Sequence, residues 1–201
     1  MGFALPLYQK LNPLYKALVF FKKHFLVIMG LGLLAAFGRV IQLGGFGTIS
    51  RGLNIFLEVV VESARISLFL YVLGVADIRK GVLRIRRFFT EKENRKVRWA
   101  TFMQNIRRQW GSILVNMVGF ALIVWTLNYL IDLLAYETCL YLTLREDGIL
   151  DASSSEWTIL LFFKNLSVIP FTLVFETVLL LWLVNQSGRD KPNAVNVPNL
   201  S

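Results

Sequence analysis

Glu58, Glu62 and Arg65 recur at i, i+4 and i+7 inside IFLEVVVESARISLFLYVLG (Ile55–Gly74), a run otherwise apolar enough to cross a bilayer. That spacing puts all three on one helical face. An ion at the centre of a membrane helix costs about 2.5–3.5 kcal/mol on insertion scales, so such groups demand partners. Arg39, Asp132 and Lys164 also fall inside apolar runs, at overlapping depth. Together these six residues give three charges of each sign, and the predicted arrangement is an intramembrane charge network in the outer half of a helix bundle. The competing arrangement has Arg39, Glu58 and Lys164 reaching the surface singly.

Glu176 stands apart, one turn after Thr172, six residues after Pro170, and level with no basic residue of any span. Three roles fit it: a protonated carboxyl hydrogen-bonded to Asn116 or a threonine, a contact to another subunit, or an ion or proton site shared with Thr172. Pro170 releases a backbone carbonyl near Leu166, and helix breaks of this kind accompany ion sites in transporters. Asn128 and Asp132 share a face and suit hydrogen bonding between helices.

Other chemistry is sparse. With one cysteine (Cys139) and one histidine (His24), a single chain holds no disulfide, no thiolate cluster and no multi-histidine metal or haem site. GTISRG (Gly47–Gly52) does not match the nucleophile elbow, and the H-E-x-x-H, C-x-x-C, phosphate-loop and dinucleotide patterns are missing. Glu146, Asp147 and Asp151 read as a solvated acidic turn rather than a divalent-cation site. The expectation is a non-enzymatic protein without catalytic residues, cofactor or metal.

The elements that must position these residues follow from composition. Of 201 residues 55% are hydrophobic and only 17% charged, whereas about a quarter are charged in soluble domains. Mean hydropathy is +0.56. Four runs match the ~20 residues that a ~30 Å hydrocarbon core requires: about 25–43, 55–76, 112–140 and 157–184. The formal charge of +9 lies beside these runs, not on a separate domain, which argues against nucleic-acid binding.

Charge then orients the spans. Lys10, Lys16, Lys22 and Lys23 precede the first run, and residues 77–111 hold eleven basic residues against Asp77, Glu91 and Glu93. Gly44–Asn54 carries only Arg51, and Tyr141–Glu156 carries Arg145 against four acids. Basic connectors remain in the cytoplasm, so both termini are expected there, in a multi-pass cell (cytoplasmic or inner) membrane.

The predicted fold is an all-α integral membrane protein of four transmembrane helices in two hairpins. Residues 1–24 form an interfacial amphipathic segment, with Asn12 capping a helix that Pro13 begins. Residues 25–185 form the membrane domain and 186–201 a polar cytoplasmic tail. Between spans two and three, Arg98, Trp99, Arg107, Arg108 and Trp110 recur at helical spacing, as in an amphipathic helix that docks anionic headgroups or an acidic partner. The expected role is a subunit or scaffold of a larger membrane assembly, bound to anionic lipid and to a protein partner or second copy. The alternative is a small oligomeric channel or ion-coupled transporter using its intramembrane carboxylates.

Overall fold

The computed structural model describes residues 11–90, 95–152 and 154–189. The expected N-terminal residues before Leu11 and the polar tail beyond Arg189 lie outside them. Within the described residues the chain is helical throughout, without strands: α1 (Asn12–Lys23), α2 (Phe25–Gln42), α3 (Arg51–Leu73), α4 (Ile78–Thr90), α5 (Arg95–Tyr136), α6 (Leu140–Glu146), α7 (Glu156–Leu166) and α8 (Val168–Arg189). Long apolar runs take this form because a helix satisfies its own backbone donors and acceptors where no water can.

Phe25–Gln42, Phe102–Tyr136 and Glu156–Val184 are long and apolar enough to cross a membrane. A fourth span is reached if α3 and the start of α4 count as one, bent by 82°. Alone, α3 has the length, at 23 residues, but Glu58, Glu62 and Arg65 fall within every 18-residue stretch of it.

Several boundaries differ from expectation. The segment carrying Arg98–Trp110 is not a separate amphipathic helix but the beginning of α5, which continues unbroken for 42 residues. At 1.5 Å per residue that is about 63 Å, twice the hydrocarbon thickness. The expected loop after the third run contains α6, and the fourth run breaks at Ser167, between α7 and α8. The first residues of the expected tail continue α8.

Packing is organised in three apolar clusters. Leu14 and Ala17 of α1 meet Ile28, Leu68, Val72, Phe171, Val174 and Phe175 at one end. Val40, Ile131, Ala135, Leu150, Ile159 and Leu160 fill the other. Between them Ala35, Val61 and Ala64 join α2 to α3. A side chain at Gly38 would come within 2.5 Å of the Val61 side chain, so the glycine sets this close approach.

Helix ends are closed individually. Asn12 does not cap α1: Leu11 holds the cap position and offers no side-chain acceptor. The backbone N–H of Leu14 donates instead to Asn116 Oδ1 on α5, at 2.9 Å, so a residue 102 positions away completes the first turn. Helix α3 is capped locally at its start, where Ser50 Oγ accepts from the Leu53 N–H.

At the far end of α3, Ala76 N–H donates to Tyr71 O and Val75 N–H to Val72 O, both at 2.9 Å. This is the Schellman pattern, whose left-handed position normally falls to glycine. Gly44 and Gly148 fill it after α2 and α6, but Val75 (φ 58°) fills it here. Arg84 Nη1 reaches back to the Leu73 carbonyl, and Asp77 Oδ1 accepts from the Arg79 and Lys80 N–H groups to start α4. Any side chain at Gly81 would lie 2.1 Å from the Leu70 carbonyl oxygen, so backbone touches backbone in this elbow.

Two substitutions test the elbow by thermal unfolding in detergent. Val75→Gly should raise the midpoint, because a left-handed β-branched residue costs about 1–2 kcal/mol. Gly81→Val should lower it by forcing α4 off α3.

Candidate functional site

Arg39, in the last turn of α2, reaches across to α3. Its Nη1 donates to Glu58 Oε2 at 2.7 Å and its Nη2 to Glu58 Oε1 at 3.1 Å, a two-point pairing of planar groups. The same Nη2 lies 3.2 Å from Glu62 Oε1. That oxygen also accepts from Arg65 Nη1 at 2.6 Å, and Arg65 Nη2 donates to Asn165 Oδ1 on α7 at 2.8 Å. Gln42 braces the near end, accepting from Arg39 and donating to Glu58 and to Asn54.

The result is a line of alternating charge across α2, α3 and α7, neutral in sum. Its heights follow from register: Glu62 is the midpoint of α3, with Glu58 a turn nearer the Gly44–Ser50 connector and Arg65 nearly a turn beyond. Burial along the line is uneven. The arginine side chains are 22% and 24% exposed, but Glu58 and Glu62 remain 49% and 44% exposed. Arg39, Gln42, Asn54, Glu58, Arg65 and Asn165 border an open cleft of about 470 Å³. Arg65 Nε, buried at the base, has no hydrogen-bond partner among the described residues.

Four of the six charges expected to cluster therefore meet, and two do not. Asp132 and Lys164, both half-buried, make no ion pair or hydrogen bond among the described residues. Matching height did not bring them in, because direction around the helix decides contact. Asn165 points into the line, and its neighbour Lys164 is turned by about 100°. Asp132 follows core residue Ile131 on α5, which packs on α7 and α8. The neutral amides Gln42, Asn54 and Asn165 were not anticipated. Their signal was available as polar side chains near span charges, but only ionisable groups were matched.

Glu176 is exposed and unpaired among the described residues, flanked by buried Phe175 and Thr177. The donors proposed for it are engaged elsewhere. Asn116 Nδ2 donates to the Ser112 carbonyl, and the Thr172 and Thr177 hydroxyls donate to the carbonyls of Val168 and Leu173. Asn128 likewise donates to the carbonyl of Val124 within its own helix. Trp99, Arg107, Arg108 and Trp110 are exposed on α5; the side chain of Arg98 lies outside the described residues.

A second polar contact joins the start of α2 to the end of α3: His24 Nδ1 and the Tyr71 hydroxyl are 2.9 Å apart, with Phe20 against the imidazole. Burial, aided by the Lys23 ammonium, holds the His24 pKa below its ordinary value.

No protein-family model matches the chain, and no curated protein or solved structure is significantly similar to it.

The charged line and the histidine contact each give an expected outcome and a control. Glu62→Leu leaves Arg65 without a counter-charge and Arg39 with Glu58 alone, and should lower stability in bilayer discs, by up to about 2.5–3.5 kcal/mol. Glu62→Leu combined with Arg65→Leu should lose less than the sum of the single changes, as a double-mutant cycle would read. His24 binds its proton less readily folded than unfolded, so stability should fall as pH drops through and below about 6.5 and level off above it. His24→Phe should remove that part of the slope, measured by unfolding midpoints between pH 7.5 and 5.5.

Proposed function

We propose that this chain is a non-catalytic, multi-pass membrane protein that serves as a subunit or scaffold of a larger membrane assembly. The observation that carries the reading is the exposure of Glu58 and Glu62 near the middle of α3. Paired along one edge with Arg39, they still turn nearly half their surface outward, at a depth where acyl chains offer no solvation. A polar surface from a neighbouring subunit supplies what lipid lacks. Exposed Glu176 makes the same demand on the other half of the bundle.

The spans run inside to outside to inside to outside to inside, with both termini cytoplasmic, in a cytoplasmic or inner membrane. Charge supports this orientation. So does the pairing at one end of the acid-rich connector with the connector that carries only Arg51, where Asp151 N–H donates to the Gly45 carbonyl at 2.8 Å. The basic face of α5 around Arg107, Arg108 and Trp110 is the docking surface for anionic lipid or a partner. A second reading, an oligomeric channel or ion-coupled transporter, is favoured by the cleft beside Arg39 and Arg65.

Photo-crosslinkers at Asn54 and Glu176, with Trp125 as an apolar-face control, separate the readings in native membranes. Specific protein adducts at the first two positions and none at the third are the expected result. Monomer throughout, with ion flux from purified protein in liposomes lost in Glu62→Gln or Glu176→Gln, would replace the subunit reading by the transport one.

A further inference from the structure

Helix α4 has no part in the charged line, and its surface is divided in two. Ile78, Val82 and Ile85 recur at i, i+4 and i+7, which places them on one stripe, and Ile78 and Val82 are 43% and 48% exposed. Arg79 and Arg86 border that stripe on one side, with Leu83, Arg87 and Lys80 farther round, all exposed. The Arg84 side chain is occupied by the Leu73 carbonyl and that of Lys80 by Asp77, but the guanidiniums of Arg79, Arg86 and Arg87 make no ion pair or hydrogen bond among the described residues.

Direction gives this division a meaning. The axis of α4 is turned 82° from that of α3, so if α3 stands along the bilayer normal, α4 lies in the bilayer plane. Gly81 holds it against Leu70, level with the last turn of the span. The His24–Tyr71 contact brings the Lys22 and Lys23 end of α1 to the same level, so the basic groups of two helices share one rim.

We propose that α4 is an in-plane anchor that binds anionic phospholipid headgroups, with Ile78, Val82 and Ile85 sunk among the upper acyl carbons and Arg79, Arg86 and Arg87 on the phosphates. The inference rests on the membrane reading above and deepens it, because it assigns a ligand class to a helix that the α5 docking surface does not include. Anionic lipid is the occupant that fits. Guanidiniums flanking an apolar stripe match a headgroup layer above hydrocarbon, and the elbow holds the stripe at that boundary.

The test uses the full chain with Cys139→Ser and a single Val82→Cys carrying an environment-sensitive dye, reconstituted in phosphatidylcholine vesicles. A small fraction of either brominated phosphatidylglycerol or brominated phosphatidylcholine is included as quencher. The expected result is blue-shifted emission, poor quenching by aqueous iodide, and about twofold or more stronger quenching by the brominated anionic lipid. Arg79→Gln, Arg86→Gln and Arg87→Gln together should equalise the two lipids while the protein stays inserted. Equal quenching in the unsubstituted chain, or full access to iodide, overturns the proposal and leaves the membrane reading standing. Failure to float with vesicles at all overturns both. An Ile78→Cys probe, on the same stripe, gives the same comparison should the first variant fold poorly.

Discussion

The middle of α3 imposes the constraint that orders the rest. A carboxylate in the middle of an otherwise apolar helix needs its counter-charge fixed beside it, and Glu62 takes Arg39 from α2 and Arg65 from its own helix. Arg65 then needs a further acceptor, which Asn165 supplies from α7. Three helices are thereby set in height and rotation by one chain of contacts. The apolar clusters on either side could slide past one another at small cost; the charged line could not. Such polar pinning is the best-attested use of buried charge, and here it selects one register from many that grease alone would permit.

The same insistence on partners governs the backbone. Each helix end that leaves the bundle leaves carbonyls or N–H groups to satisfy, and the chain answers differently at each. Glycines close α2 and α6 without strain, whereas Val75 closes α3 against its own preference, held by Arg84 and the Asp77 cap. The strained position belongs to the 82° corner between α3 and α4. That corner decides where the basic helix α4 lies, so a local backbone cost serves the placement of a whole element.

Three to four candidate spans, and the height of each charge along its helix, were legible in the sequence because both signals are one-dimensional. Apolar length reports helix count, and residue number along a helix reports depth. Rotation is a different quantity, and depth alone wrongly grouped Asp132 and Lys164 with Arg39, Glu58, Glu62 and Arg65. One residue of offset at Lys164 versus Asn165 turned the charge away and the amide in. The unbroken course of α5 was hidden because its composition changes from basic to apolar near Ser112 while its backbone does not. Asn12-Pro13 carries the signal of a local cap, but the acceptor comes from Asn116 on another helix. Charge counting also passed over the amides that complete the site.

That borrowed acceptor orders events during synthesis. Leu14 leaves the ribosome 102 residues before Asn116, an interval of about 5–20 s at ordinary elongation rates. Through that interval α1 has an open first turn, and Phe171, Val174 and Phe175, which cover its apolar side, do not yet exist. Seating of α1 against its full set of partners therefore cannot be completed before α5 and α8 have been made.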